Sequence, residues 1–111
     1  MFVSQSVPST MVVGESYQVS VTMFNTSSTT WTSAQLYRLG SQDPQDNTTW
    51  GFNRVGLPGS VAPGQQVTFT FTFTAPAWPG TYNFQWRMVQ DGVQWFGAFT
   101  PDVPVEVFAW H

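Results

Sequence analysis

Apolar and polar residues alternate along most of this chain. Tyr17, Val19, Val21 and Met23 take turns with Gln18, Ser20 and Thr22. Val67, Phe69, Phe71 and Phe73 do so with Thr68, Thr70, Thr72 and Thr74, and Tyr82, Phe84, Trp86 and Met88 with Asn83, Gln85 and Arg87. Successive side chains of an extended strand point to opposite faces, so a period of two marks strands with one buried and one wet face. No window of useful length carries a helical period, which predicts almost no helix.

Turn residues punctuate the pattern at regular intervals. Gly14 closes the first segment and Asn25-Thr26-Ser27-Ser28 forms a polar turn. Pro58-Gly59 and Pro63-Gly64 frame one connection, and Pro76 with Pro79-Gly80 frames the next. Asp91-Gly92, between two strand-like runs, is the strongest short hairpin signal. Strands are therefore expected at about 2–7, 15–24, 30–38, 52–57, 66–74, 81–90, 93–99 and 103–108. Seven to eight short strands at this spacing predict an all-β, antiparallel sandwich of immunoglobulin or fibronectin-III type. Trp31 stands where such folds place a core tryptophan, and Tyr82 follows Pro79-Gly80 as a tyrosine corner would. By the alternation, Trp31, Trp86, Phe69, Phe71, Phe73 and Phe84 face inward as core.

A length of 111 residues fits one domain, here 1–111, which would serve equally as a module of a larger protein. Ten phenylalanines and six tryptophans share it with no cysteine and one histidine, so packing and stacking outweigh acid–base chemistry. Without cysteine there are no disulfides or thiolate sites, and no metal or cofactor is implied. The net charge is −3, and Arg38, Arg54 and Arg87 are too few for the phosphate contacts of nucleic-acid binding. No apolar run approaches ~20 residues, which argues against membrane insertion, and no charged start precedes an apolar core as in a signal peptide. A low charge fraction with abundant Thr, Ser, Asn and Gln favours an extracellular or cell-surface setting.

From Gly14 to Val107 the order of short motifs resembles a known family. Gly14-Glu15-Ser16-Tyr17 leads to Phe24-Asn25-Thr26-Ser27 and Trp31, then Ala62-Pro63-Gly64, Ala75-Pro76, Gly80-Thr81-Tyr82, Gln85-Trp86-Arg87-Met88 and Trp95-Phe96-Gly97. The series is similar to the immunoglobulin-like four-tryptophan (FW) domain of the Next-to-BRCA autophagy receptor, and closer still to the family's bacterial branch. The resemblance implies a non-catalytic domain, whose animal and fungal members bind protein partners. On that pattern Trp31 and Trp86 match two of the named tryptophans. Val21 holds the position of another, a further one is replaced near Pro101, and Trp50 is a loose match.

Candidate chemistry is sparse. His111 is the only histidine, and a catalytic triad has no other to use. Asp43 and Asp46, with Asn47, could offer oxygens to calcium, but the spacing lacks a known cage and suits turn capping as well. Asn25-Thr26-Ser27 and Asn47-Thr48-Thr49 satisfy the N-glycosylation pattern and read equally as turns.

The remaining tryptophans pose the question of function. Trp50, Trp78 and Trp110 are expected at one end of the sandwich, forming an aromatic patch beside Asp43 and Asp46, with Trp95 on the outer face of a sheet. Either these rings close the open end by burial, or they form a binding patch, since tryptophan is enriched at interface hot spots. The leading expectation is a non-catalytic interaction or spacer module that binds a protein partner or orders neighbouring domains. The alternative is a carbohydrate-binding module whose loop tryptophans stack on a polysaccharide. An enzyme is disfavoured by the missing acid–base set. The first and last strands, Phe2–Val7 and Val103–Phe108, have no lysine guard, so weak dimerisation through edges is also expected.

Overall fold

The computed structural model describes residues 1–109. Ten strands follow one another, with no helix among the described residues: β1 (Phe2–Ser6), β2 (Thr10–Val12), β3 (Ser16–Phe24), β4 (Tyr37–Ser41), β5 (Arg54–Gly56), β6 (Gln66–Thr74), β7 (Gly80–Phe84), β8 (Trp86–Gln90), β9 (Gln94–Phe96) and β10 (Val103–Phe108). One layer of the sandwich is the sheet β1-β3-β6. The other combines β2-β10-β7 with β5-β4-β8-β9, because β7 and β8 are one run interrupted only at Gln85.

That interruption has a visible cause. Phe84 pairs with Val103 and Met88 with Phe96, so a short stretch of one strand faces a longer stretch of its partner. The surplus leaves the sheet as a bulge over residues 97–102, opened by Gly97 at φ 75°. Thr100, fully buried, stitches the gap. Its N–H donates to Trp86 O at 2.8 Å, and its Oγ1 accepts from Trp86 N–H at 2.9 Å. Gln85 Nε2 adds a bond to Thr100 O at 3.1 Å.

The alternating segments 15–24, 66–74 and 103–108 become β3, β6 and β10 almost residue for residue. Elsewhere the structure corrects the expectation. Trp31 makes only an isolated bridge to Val61, and the regular strand starts at Tyr37. In between, Leu36 N–H bonds Ser33 O and Leu36 takes φ 67°, a turn that an apolar residue does not advertise. β2 was not anticipated. It pairs in parallel with β10, so the sandwich is not wholly antiparallel, and β10 lies between β2 and β7 rather than at a sheet edge. β1 is an edge as expected.

The core lies between the layers. Val19, Val21, Met23, Val67, Phe69 and Phe73 come from one sheet, and Leu39, Phe84, Trp86, Met88, Val105 and Val107 from the other. Trp86 is fully buried, with ring centroids 5.3 Å from Phe71 and 5.9 Å from Phe84. Phe71 and Tyr82 are half-buried. At the Trp31 end, Asn25 is buried and saturated: Nδ2 donates to Thr29 O and Val61 O, and Oδ1 accepts from Ser27 N–H and Oγ–H. Its place in a glycosylation pattern is thus a turn role; an amide so engaged presents no free nitrogen.

Candidate functional site

The two readings of the end tryptophans divide between Trp50 and Trp78. Trp50 is only 2% exposed. A turn closed by Gly51 N–H on Thr48 O, with Gly51 at φ 97°, sends the indole inward, where it lies 4.7 Å from Phe73 and 6.0 Å from Phe84. Trp50 therefore seals the core and presents no surface. Trp110 and His111 lie outside the described residues. Trp78, by contrast, is 77% exposed.

Trp78 stands on a rigid base. Pro76 and Pro79 flank it, and the Tyr82 hydroxyl donates to Trp78 O at 2.7 Å, closing the corner before β7. The Tyr82 ring passes 3.6 Å from where a Cβ on Gly80 would sit, and Gly80 takes φ 157°. Phe108, half exposed at 51%, lies at the same end, since its neighbour Val107 pairs with Gly80. Two apolar rings thus face water beside a proline-stiffened corner.

Asp43 and Asp46 do not join this end. Asp46 is bound to Arg54 Nη1 at 2.6 Å. Asp43 meets Asp102, a residue that sequence spacing could not bring to it. Partial burial of Asp102 and the hydrogen bond and charge of Asp43 beside it push the Asp102 carboxyl up to about 6. Asn47 is spent on the loop itself: Nδ2 donates to Gln42 O and Pro44 O, and Oδ1 accepts from Thr49 N–H. Among the described residues no three His, Cys, Asp or Glu side chains gather as a metal site would need.

Trp95 is on the outer face of the sheet and half-buried. It lies against Gly40, where a Cβ would overlap its ring, and the Arg54 guanidinium sits 4.9 Å from its centroid. Directly opposed strand residues share a face, which fixes the neighbours: Gly40 opposes both Arg54 and Arg87, and Val89 opposes both Arg38 and Trp95. All three arginines of the chain therefore stand on this one face.

Asp91, in the hairpin turn between β8 and β9, ties two of them. Its carboxylate accepts from Arg38 Nη1 at 3.0 Å and from Arg54 Nε at 3.1 Å. Burial would raise the Asp91 carboxyl, but the bonds from Arg38 and Arg54 and their charge hold it below the ordinary carboxylate value. Arg87 has no carboxylate partner among the described residues. Its Nε donates to Gly97 O at 2.9 Å and its guanidinium lies 4.7 Å from the Phe99 ring centroid. An open cleft of about 310 Å³ runs between Arg54, Trp95 and the hairpin tip. Sequence reading missed this face because it counted arginines without placing them. Their alternation with inward Leu39, Trp86 and Met88 was the available signal.

Residues 6–105 match a family model described as the Ig-like domain from next to BRCA1 gene. No curated protein matches the chain.

Proposed function

The chain belongs to the family of Ig-like domains from next to BRCA1 gene, and from that premise we propose that it is a non-catalytic protein-interaction module whose main anchor is Trp78. The observation that carries this reading is a tryptophan 77% exposed on a corner whose backbone is already fixed. Leaving a large ring in water forgoes the roughly 1.5–3 kcal/mol that full burial supplies. A partner that covers it recovers that energy, and a preorganised loop loses little conformational entropy on binding. Phe108 widens the apolar contact, and the Trp78 indole N–H offers a directional donor.

Phe2 and Phe108 stand at opposite ends of the sandwich, since Phe2 pairs near the end of β3 and Phe108 near the turn that precedes it. Neighbouring domains of a parent protein would then be held apart along the long axis. The carbohydrate-binding reading retains fewer rings: Trp50 is buried, and Arg54 covers a face of Trp95.

The test is selection of a random-peptide display library on the domain and on Trp78→Ala. The proposal expects enriched peptides that lose at least about tenfold in affinity for Trp78→Ala, as a hot-spot truncation does. Equal affinity for both proteins contradicts it. A saturable tryptophan-fluorescence response to soluble polysaccharide, abolished by Trp78→Ala, would favour the carbohydrate reading instead.

A further inference from the structure

We infer a second contact surface on the outer face of β4, β5, β8 and β9, suited to an extended acidic protein segment. The inference deepens the interaction-module reading but uses a face that Trp78 does not share. It starts from charge. The chain has three arginines and six acids. Asp46 and Asp91 pair with arginines on this face, while Glu15, Asp43, Asp102 and Glu106 make no ion pair with them among the described residues. The face therefore carries one net positive charge on a chain whose other acidic and basic side chains sum to −4.

Donor capacity comes next. A guanidinium has five N–H donors. Arg54 spends several on Asp91, Asp46 and Asn53 O, but Arg38 uses only Nη1 and Arg87 only Nε. Arg38 and Arg87 are diagonal neighbours, because Arg38 opposes Val89, two residues after Arg87. Their backbones stand about 7–8 Å apart, and their heads diverge, Arg38 toward Asp91 and Arg87 toward Gly97 and Phe99. An extended acidic segment crossing the face meets each guanidinium with its own carboxylate.

Preorganisation supports the same occupant. Arg87 is already laid on Phe99, and Arg54 on Trp95. Phe99 is 48% exposed, so the cationic strip has an apolar shoulder. Arginine and tryptophan on a fixed sheet are the residues that dominate binding energy at protein interfaces.

The probe is the peptide Ser-Glu-Ser-Glu-Ser-Glu, titrated at low salt and followed by tryptophan fluorescence. The expected result is saturable binding that weakens at least about tenfold in Arg87→Gln, is partly restored in Arg87→Lys, and fades as salt screens the charges. An unchanged melting temperature for Arg87→Gln shows that the variant is folded. The Trp78→Ala protein should bind the probe like the wild type, so failure here leaves the Trp78 reading intact, and the reverse holds too. No saturable response, equal binding by Ser-Lys-Ser-Lys-Ser-Lys, tighter binding of a single-stranded oligonucleotide, or indifference to Arg87→Gln each overturns the inference.

Discussion

Gly40→Ala separates the structural part of the arginine face from everything around it. Gly40 does not take a left-handed φ, so an alanine there carries no backbone strain. The obstacle is steric alone: the new Cβ would overlap Trp95 Cη2, lie 2.6 Å from Trp95 Cζ3 and 3.2 Å from Arg54 Nη1. Those ring atoms are the far end of a half-buried side chain, so the indole swings off the sheet rather than the strand deforming. The departure strips cover from Val89, now 3% exposed, and ends the stacking of Arg54. The stacking contributes about 0.5–1 kcal/mol at an exposed site, and the lost apolar cover a comparable amount at ~25 cal/mol per Å². A destabilisation of about 1–2 kcal/mol follows. Thermal unfolding should register it as a drop of about 4 °C per kcal/mol at this length. In a Trp95→Ala background the obstacle is gone, and the same change should be neutral or stabilising by about 0.4–1 kcal/mol through the unfolded chain. A Gly40→Ala penalty of equal size in both backgrounds refutes the packing argument.

Other outcomes follow from the same structure. Trp50→Ala should cost about 3–5 kcal/mol in denaturant unfolding, whereas Trp78→Ala should stay within about 0.5 kcal/mol of wild type; similar losses would mean that the two loop tryptophans are wrongly assigned. Thr100→Val removes the acceptor for Trp86 N–H in a buried seam and should cost about 1–3 kcal/mol, and hydrogen exchange at Trp86 should accelerate. Asp102 holds its proton in the folded state up to about 6, against an ordinary 3.8. Its contribution to stability is thus fully present below the ordinary value and is lost as pH rises through 6. Asp91 works in the opposite sense, since its lowered value adds stability that disappears as pH falls. Asp102→Asn should therefore flatten the decline of stability between roughly pH 4 and 7, and a variant that retains the wild-type slope would contradict the raised Asp102 carboxyl.

Where side chains alternate cleanly, local pattern and tertiary burial agree, and β3, β6 and β10 were legible to within a residue. Trp86 could be placed for the same reason. The misreadings cluster where long-range pairing decides. β2 is three residues long and exists only because β10 accepts it in parallel. The run 81–90 breaks at Gln85 because its partner carries a bulge, which nothing within the run reveals. Trp50, in the long loop from Gly40, reads from sequence as either an end seal or a surface ring, and the polar residues around it build the turn that buries it. Asp43 with Asp102, and Asp91 with two arginines, join segments distant in sequence. Residue spacing carries no information on such meetings. Trp78, in the loop between Pro76 and Pro79, stays exposed.

The central claim is that this domain engages a protein partner through a fixed, exposed tryptophan. The most direct measurement is a nitrogen-edited spectrum of the indole N–H groups as a display-selected peptide is added. The Trp78 indole should shift saturably, while the buried indoles of Trp31, Trp50 and Trp86 hold still. A peptide that binds with the Trp78 signal unmoved would contradict the account.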